Sequence, residues 1–135
     1  MIKHVFFDLD RTLWDFEKNS HEELMHLWSK HQLHQKGISL PEEFIRIYKG
    51  INEDCWALYR EDLITKEDLR TKRFADTLEY FGILDNKVAE SIGLDYVTNC
   101  PYRTALFPNV FEIIDYLKSK YALHIITNGF EEVQH

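Results

Sequence analysis

Two carboxylates stand at the end of a short apolar run near the start of this chain. The run reads His4-Val5-Phe6-Phe7-Asp8-Leu9-Asp10, and Arg11-Thr12 follow directly. Asp8 and Asp10 are spaced i, i+2, which puts them on one face wherever the backbone stays extended. Two such charges repel by roughly 4 kcal/mol at about 4 Å and an effective dielectric of about 20. A bound cation or a shared proton relieves that repulsion. The pair therefore suits a bound cation or a shared proton. A second polar cluster, Thr127-Asn128-Gly129, follows the apolar run Ala122-Leu123-His124-Ile125-Ile126. It offers a hydroxyl, an amide and a glycine turn. By itself it reads as an ordinary turn.

These clusters need strands to carry them. Residues 3–9 and 122–126 are short, apolar and rich in β-branched or aromatic types, as buried strands are. Ligands in open α/β sheets bind beyond the carboxyl ends of such strands, where both clusters lie. Between them the periodicity is helical. Asn19 and Ser20, with Glu22 and Glu23 following, suggest a first helix start, and Leu24, Leu27 and Trp28 share its face. Gly37 breaks it. Ser39 and Glu42 suggest a second capping box, with Pro41 in the first turn. Thr65 and Asp68 suggest a third, stopped by Gly82. Asp85 caps a fourth helix ending at Pro101. Pro108 opens another, with Val110, Ile113, Ile114 and Leu117 on one side. The order is strand, helical block, helix, strand.

Bulk properties narrow the classes. The chain has 135 residues, 44% hydrophobic and 29% charged, with 23 acids against 16 Lys+Arg and a formal charge of −7. That length makes one domain with a real core. The acidic balance argues against nucleic-acid and anionic-membrane surfaces, which need basic patches. No apolar run approaches the roughly 20 residues of a membrane span. Met1-Ile2-Lys3 runs into strand-like sequence without a secretory pattern. Cys55 and Cys100 match no metal spacing, so reduced thiols and a cytoplasmic location are expected. The histidines at 21, 26, 31 and 34 are spaced five, five and three apart, which fits a solvated helix face better than a metal cluster. Trp14, Phe16, Cys55 and Trp56 read as packing residues, and Asn19 as a cap.

Taken together, the two clusters resemble the haloacid dehalogenase (HAD) superfamily. Its first motif, DxDx[TV], matches Asp8-Leu9-Asp10-Arg11-Thr12. Its second, a hydrophobic strand ending in Ser or Thr, matches Ile125-Ile126-Thr127-Asn128-Gly129 about 115 residues on. The intervening helices resemble the family's C1-type cap. The resemblance implies an α/β fold: a Rossmann-like core, partial here with two strands (1–15 and 101–135), and an inserted all-helical cap (16–100).

The resemblance also implies roles. Asp8 is expected as the nucleophile that becomes an aspartyl-phosphate, and Asp10 as general acid and then base. Mg²⁺ is expected on the Asp8 carboxylate and the Asp10 backbone carbonyl. Thr127, Asn128, Gly129 and Thr12 are expected to bind the phosphate of a small phosphorylated metabolite. Dehalogenases of the superfamily lack an acid matching Asp10, because a halide leaves without a proton. Asp10 thus favours phosphoryl transfer. The stretch from Asp8 to Ser20 resembles pyrimidine 5′-nucleotidase-type phosphatases, which makes nucleoside 5′-monophosphates candidate substrates. Phosphomutases share both acids and remain an alternative. Arg11 departs from the Gly or Asp common at its position and reads as a solvent-facing cation.

The family's third and fourth motifs, a Lys and one or two further metal acids, would lie downstream of Gly129. The expectation is an amino-terminal portion, a full cap with half a core, inactive alone. A noncatalytic module that self-associates through its open sheet edge is the other alternative.

Overall fold

The computed structural model describes residues 1–134. They divide into two compact units. The first holds Met1–Ser20 and the segment from Tyr102 onward, and the second holds His21–Pro101.

The first unit is α/β. Strand β1 (His4–Asp8) pairs in parallel with β2 (Ala122–Ile126). The register runs from His4 opposite Ala122 to Asp8 opposite Ile126. Helix α5 (Val110–Lys118) precedes β2 and packs on it, and α6 (Glu131–Gln134) follows it. One sheet face is open: His4, Phe6, Ala122, His124 and Ile126 on it are all exposed. Phe6 is 62% and Ile126 61% exposed, far beyond what buried strands of a parallel sheet show. The strands form where the apolar runs predict them. Their burial depends on sheet neighbours that the described residues do not include.

The second unit is helical. Helix α1 (Phe16–Lys30) begins in the first unit and runs into this one, followed by α2 (Pro41–Arg60), α3 (Lys66–Tyr80) and α4 (Asn86–Asn99). Helix α3 packs between α2 and α4. Leu27, Leu33, Ile38, Phe44, Phe74 and Ile92 are completely buried, so this unit has the better-formed core. Tyr48 stacks on Phe74 with centroids 4.8 Å apart, and Tyr96 closes the cluster. Aromatic groupings of this kind add stability beyond their area. Cys55 and Cys100 are free thiols, both buried.

Caps decide where the helices start. The Thr65–Asp68 capping box forms as expected: Asp68 N donates to Thr65 Oγ1 and Thr65 N to Asp68 Oδ2. Asp85 accepts from Val88 N. Two expectations fail. Helix α1 starts at Phe16, with Asp15 Oδ1 accepting from Lys18 N, so Asn19 and Ser20 lie inside the helix. Helix α2 has Leu40 at its N-cap with no side-chain bond, so the Ser39–Glu42 box does not form. There Pro41 at the first helical position fixes φ and removes one unsatisfied N–H, which is enough to set the start.

Candidate active site

The parallel register brings the ends of both strands together, with Asp8 opposite Ile126 and Thr127 one residue beyond. Past Asp8 the chain folds tightly back. The Leu9 carbonyl accepts from the N–H groups of Thr12, Leu13 and Trp14 at 3.3, 3.0 and 3.0 Å. Arg11 N donates to Trp14 O at 3.0 Å. This turn needs a left-handed residue, and Arg11 supplies it with φ 65°. Only glycine adopts that backbone without cost. Arg11 is thereby held sideways: its guanidinium bonds Glu17 Oε1 and lies 4.7 Å over the Phe16 ring. It is exposed, but engaged rather than simply pointing at solvent.

The turn is anchored from its far side. Trp14 Nε1 donates to the Arg103 carbonyl at 2.8 Å, and Asp15 N to the Ala105 carbonyl at 3.0 Å. Asn19, completely buried, grips Ala105 by both backbone groups. Its position inside a buried helix turn marks it as structural, which a cap-like residue type does not suggest from sequence.

Within this frame the candidate residues are placed as follows. Thr12 Oγ1 donates to Asp8 Oδ2 at 3.0 Å, which orients the Asp8 carboxylate. Asp10 is half-buried and accepts from Gln134 Nε2 at 3.0 Å. Burial pushes the Asp10 carboxyl above its usual range, against the Gln134 hydrogen bond, and the Asp8 charge adds to the rise. Thr127 Oγ1 accepts from Gly129 N at 3.1 Å, a local turn that uses the hydroxyl's acceptor and leaves its proton for another partner. Asn128 and Gly129 are exposed. Gln134 carries no signal in the sequence: it lies 124 residues from Asp10, and only the fold brings it there.

The oxygen donors available here, the Asp8 carboxylate and the Asp10 backbone carbonyl, are of the kind a hard cation takes. Among the described residues no group of three or more His, Cys, Asp or Glu side chains forms a metal cage. The helical histidines do not form one either. His31 instead meets Asp95 at 2.8 Å and is only 12% exposed, so it does not belong to a solvated face. Among the described residues no helix is long and apolar enough to cross a membrane.

Known proteins resemble this chain in sequence and in fold. The HAD-hydrolase YfnB of Bacillus subtilis is 26% identical over 132 residues, covering 97% of this chain and 53% of its own length. Pyrimidine 5′-nucleotidase YjjG of Escherichia coli is 23% identical over 130 residues, covering 96% and 53%. The chain thus spans about half the length of the curated relatives it matches. A crystal structure of YfnB, described as bound to magnesium, superposes with a TM-score of 0.83 at 24% identity, covering 98% of this chain and 55% of that one. The L-2-haloacid dehalogenase Rha0230 shares the fold at a TM-score of 0.65 and 14% identity, covering 98% and 53%. Residues 2–135 match the family of haloacid dehalogenase-like hydrolases, and this chain belongs to that family.

Proposed function

We propose that this chain carries the nucleophile and the acid–base group of a Mg²⁺-dependent phosphatase acting on small phosphomonoesters, nucleoside 5′-monophosphates among them. The observation that carries the reading is the asymmetry of the acid pair. Asp8 is exposed and oriented through one oxygen by Thr12, whereas Asp10 is half-buried with its carboxyl raised. An exposed carboxylate beside a half-buried one whose pKa is raised suits the roles of nucleophile and acid. The kinship with YjjG supports a nucleotide substrate.

In this reading an Asp8 oxygen attacks phosphorus, and the bond from phosphorus to the ester oxygen breaks. The proton on Asp10 goes to the departing alkoxide. Asp10, now a carboxylate, takes a proton from the water that attacks the aspartyl-phosphate, releasing phosphate and restoring Asp8. Covalent capture splits one difficult displacement into two easier ones. Thr127, with the N–H groups around Asn128 and Gly129, holds the phosphoryl oxygens. Asp8 through its carboxylate and Asp10 through its backbone carbonyl would hold Mg²⁺, which when bound would neutralise charge between the nucleophile and the phosphate. The Lys and the further metal acids that complete the charge balance are expected from the family's downstream motifs.

Phosphate release from small phosphomonoesters, with and without Mg²⁺, tests the reading on the protein extended past His135. Release that requires Mg²⁺ and disappears in Asp8→Asn is expected. Metal-independent release, or full activity in Asp8→Asn, overturns it.

A further inference from the structure

Asp10 is held from the far end of its unit. Gln134 Nε2 donates to Asp10 Oδ2 at 3.0 Å, across a separation of 124 residues. Gln134 lies on α6, just past the turn in which Gly129 N donates to Thr127 Oγ1. Thr12 makes the matching bond to Asp8 Oδ2, from four residues away. Each acid thus accepts from a neutral donor on one oxygen. Gly129 opens the path for the Gln134 side chain: a Cβ built at Gly129 would fall on the Gln134 amide. Gly129 does not take a left-handed φ, so what glycine supplies at this position is space rather than backbone freedom.

We propose that Gln134 is the positioning residue for the proton-donating role of Asp10, and that Gly129 is the residue that admits it. The proposal rests on the phosphatase reading above. A protonated carboxyl carries one O–H and otherwise only acceptor sites. A donor fixed on Oδ2 makes that oxygen the acceptor, so the proton sits on Oδ1. From there it passes to the ester oxygen as the bond to phosphorus breaks. The Gln134 N–H then donates to a carboxylate, and a bond to a charged oxygen is the stronger kind. An amide does not itself give up or take a proton here, so Gln134 can hold Asp10 in both halves of the cycle. Position matters because a misplacement of roughly 1 Å at a reacting group costs about 10²-fold.

Leaving groups separate this role from a merely structural one. An alkyl phosphomonoester needs its departing oxygen protonated, whereas p-nitrophenolate leaves as the anion. In the protein extended past His135, Gln134→Ala is expected to lose about tenfold or more in kcat/KM on an alkyl phosphomonoester and to change little on p-nitrophenyl phosphate. Retained activity on the second substrate shows that the variant folds. Gly129→Ala displaces the same amide with residue 134 intact, and is expected to carry the same selective loss. A contact readout needs no activity: in NMR spectra of the 135-residue chain, the Gln134 side-chain NH₂ signals should shift more in Asp10→Ala than in Asp8→Ala. Equal losses on the two substrates, no loss in Gln134→Ala, or NH₂ signals unmoved by Asp10→Ala overturn the proposal and leave the phosphatase reading standing. A parent protein that releases no phosphate overturns that reading instead, and this role with it.

Discussion

Asn19 and Ala105 are joined by two hydrogen bonds: Asn19 Nδ2 donates to the Ala105 carbonyl at 2.8 Å, and Ala105 N donates to Asn19 Oδ1 at 3.0 Å. One amide thereby mimics a strand partner and satisfies both backbone groups of a residue 86 positions away. The segment so fixed also carries the Arg103 carbonyl that receives Trp14, so the acid-bearing turn is held through it. Asn19→Asp is expected to be worse than Asn19→Ala. The carboxylate can accept from Ala105 N but cannot donate to its carbonyl, and it brings a charge into a completely buried position. The alanine variant is expected to lose about 1–3 kcal/mol because Ala105 N loses its acceptor, while the Ala105 carbonyl keeps Asp15 N. Urea unfolding of the three proteins side by side measures the order.

Two helical glycines should respond to alanine in opposite directions. A Cβ on Gly93 of α4 would sit 2.7 Å from the Arg70 carbonyl of α3, which is backbone and cannot step aside. A Cβ on Gly50 of α2 would meet nothing within 4 Å. Gly50→Ala is expected to stabilise by about 0.5–1 kcal/mol, the usual helix preference for alanine. Gly93→Ala is expected to destabilise by about 1–3 kcal/mol despite that preference, as overpacking does. Denaturation midpoints at unchanged slope decide both.

Acid should weaken one link inside the helical unit. Asp95 on α4 receives both Lys30 Nζ and His31 Nε2 at 2.8 Å. Burial pushes its carboxyl up, but the hydrogen bonds from Lys30 and His31, with their charges, outweigh this and hold it below the ordinary 3.8. A depressed carboxyl contributes stability above its unfolded pKa and loses it as pH falls through the folded one. Asp95→Asn is therefore expected to melt lower than the parent protein at neutral pH. The gap should narrow only below about pH 4. A gap that widens in acid contradicts the assignment. Melting temperatures across pH 2–7 provide the check.

What the residues reveal without the fold, and what they withhold, divides by range. Both strands, the Thr65–Asp68 box and the Asp85 cap are legible because each depends on neighbours within a few positions. The start of α2 misleads because Ser39 and Glu42 have the right spacing but Pro41 makes the side-chain cap unnecessary. Asn19 looks like a cap and His31 like a solvent-side group because their partners, Ala105 and Asp95, are far away in sequence. The motif acids are legible as a pair. Their unlike surroundings are not, since Asp10 is half-buried and meets Gln134 only in the fold, while Asp8 stays exposed.

Arg11 is the remaining case, where backbone and side chain pull in opposite directions. Its left-handed φ of 65° costs an L-residue roughly 1–2 kcal/mol that glycine avoids. Against this stand an ion pair to Glu17, with side chains 58% and 52% exposed, and a guanidinium lying over Phe16. An exposed pair contributes about 0–1 kcal/mol and an exposed cation–π contact about 0.5–1 kcal/mol. The two sides nearly cancel, so Arg11→Gly is expected to leave stability almost unchanged. Arg11→Ala loses the side-chain contacts without relieving the backbone, and should be less stable than Arg11→Gly by about 1 kcal/mol. High salt screens the Glu17 pair, so it should shift the comparison in favour of the glycine variant. If alanine equals or exceeds glycine in urea midpoints, the turn is not under the backbone strain its geometry implies, and Arg11 holds the loop by its side chain alone.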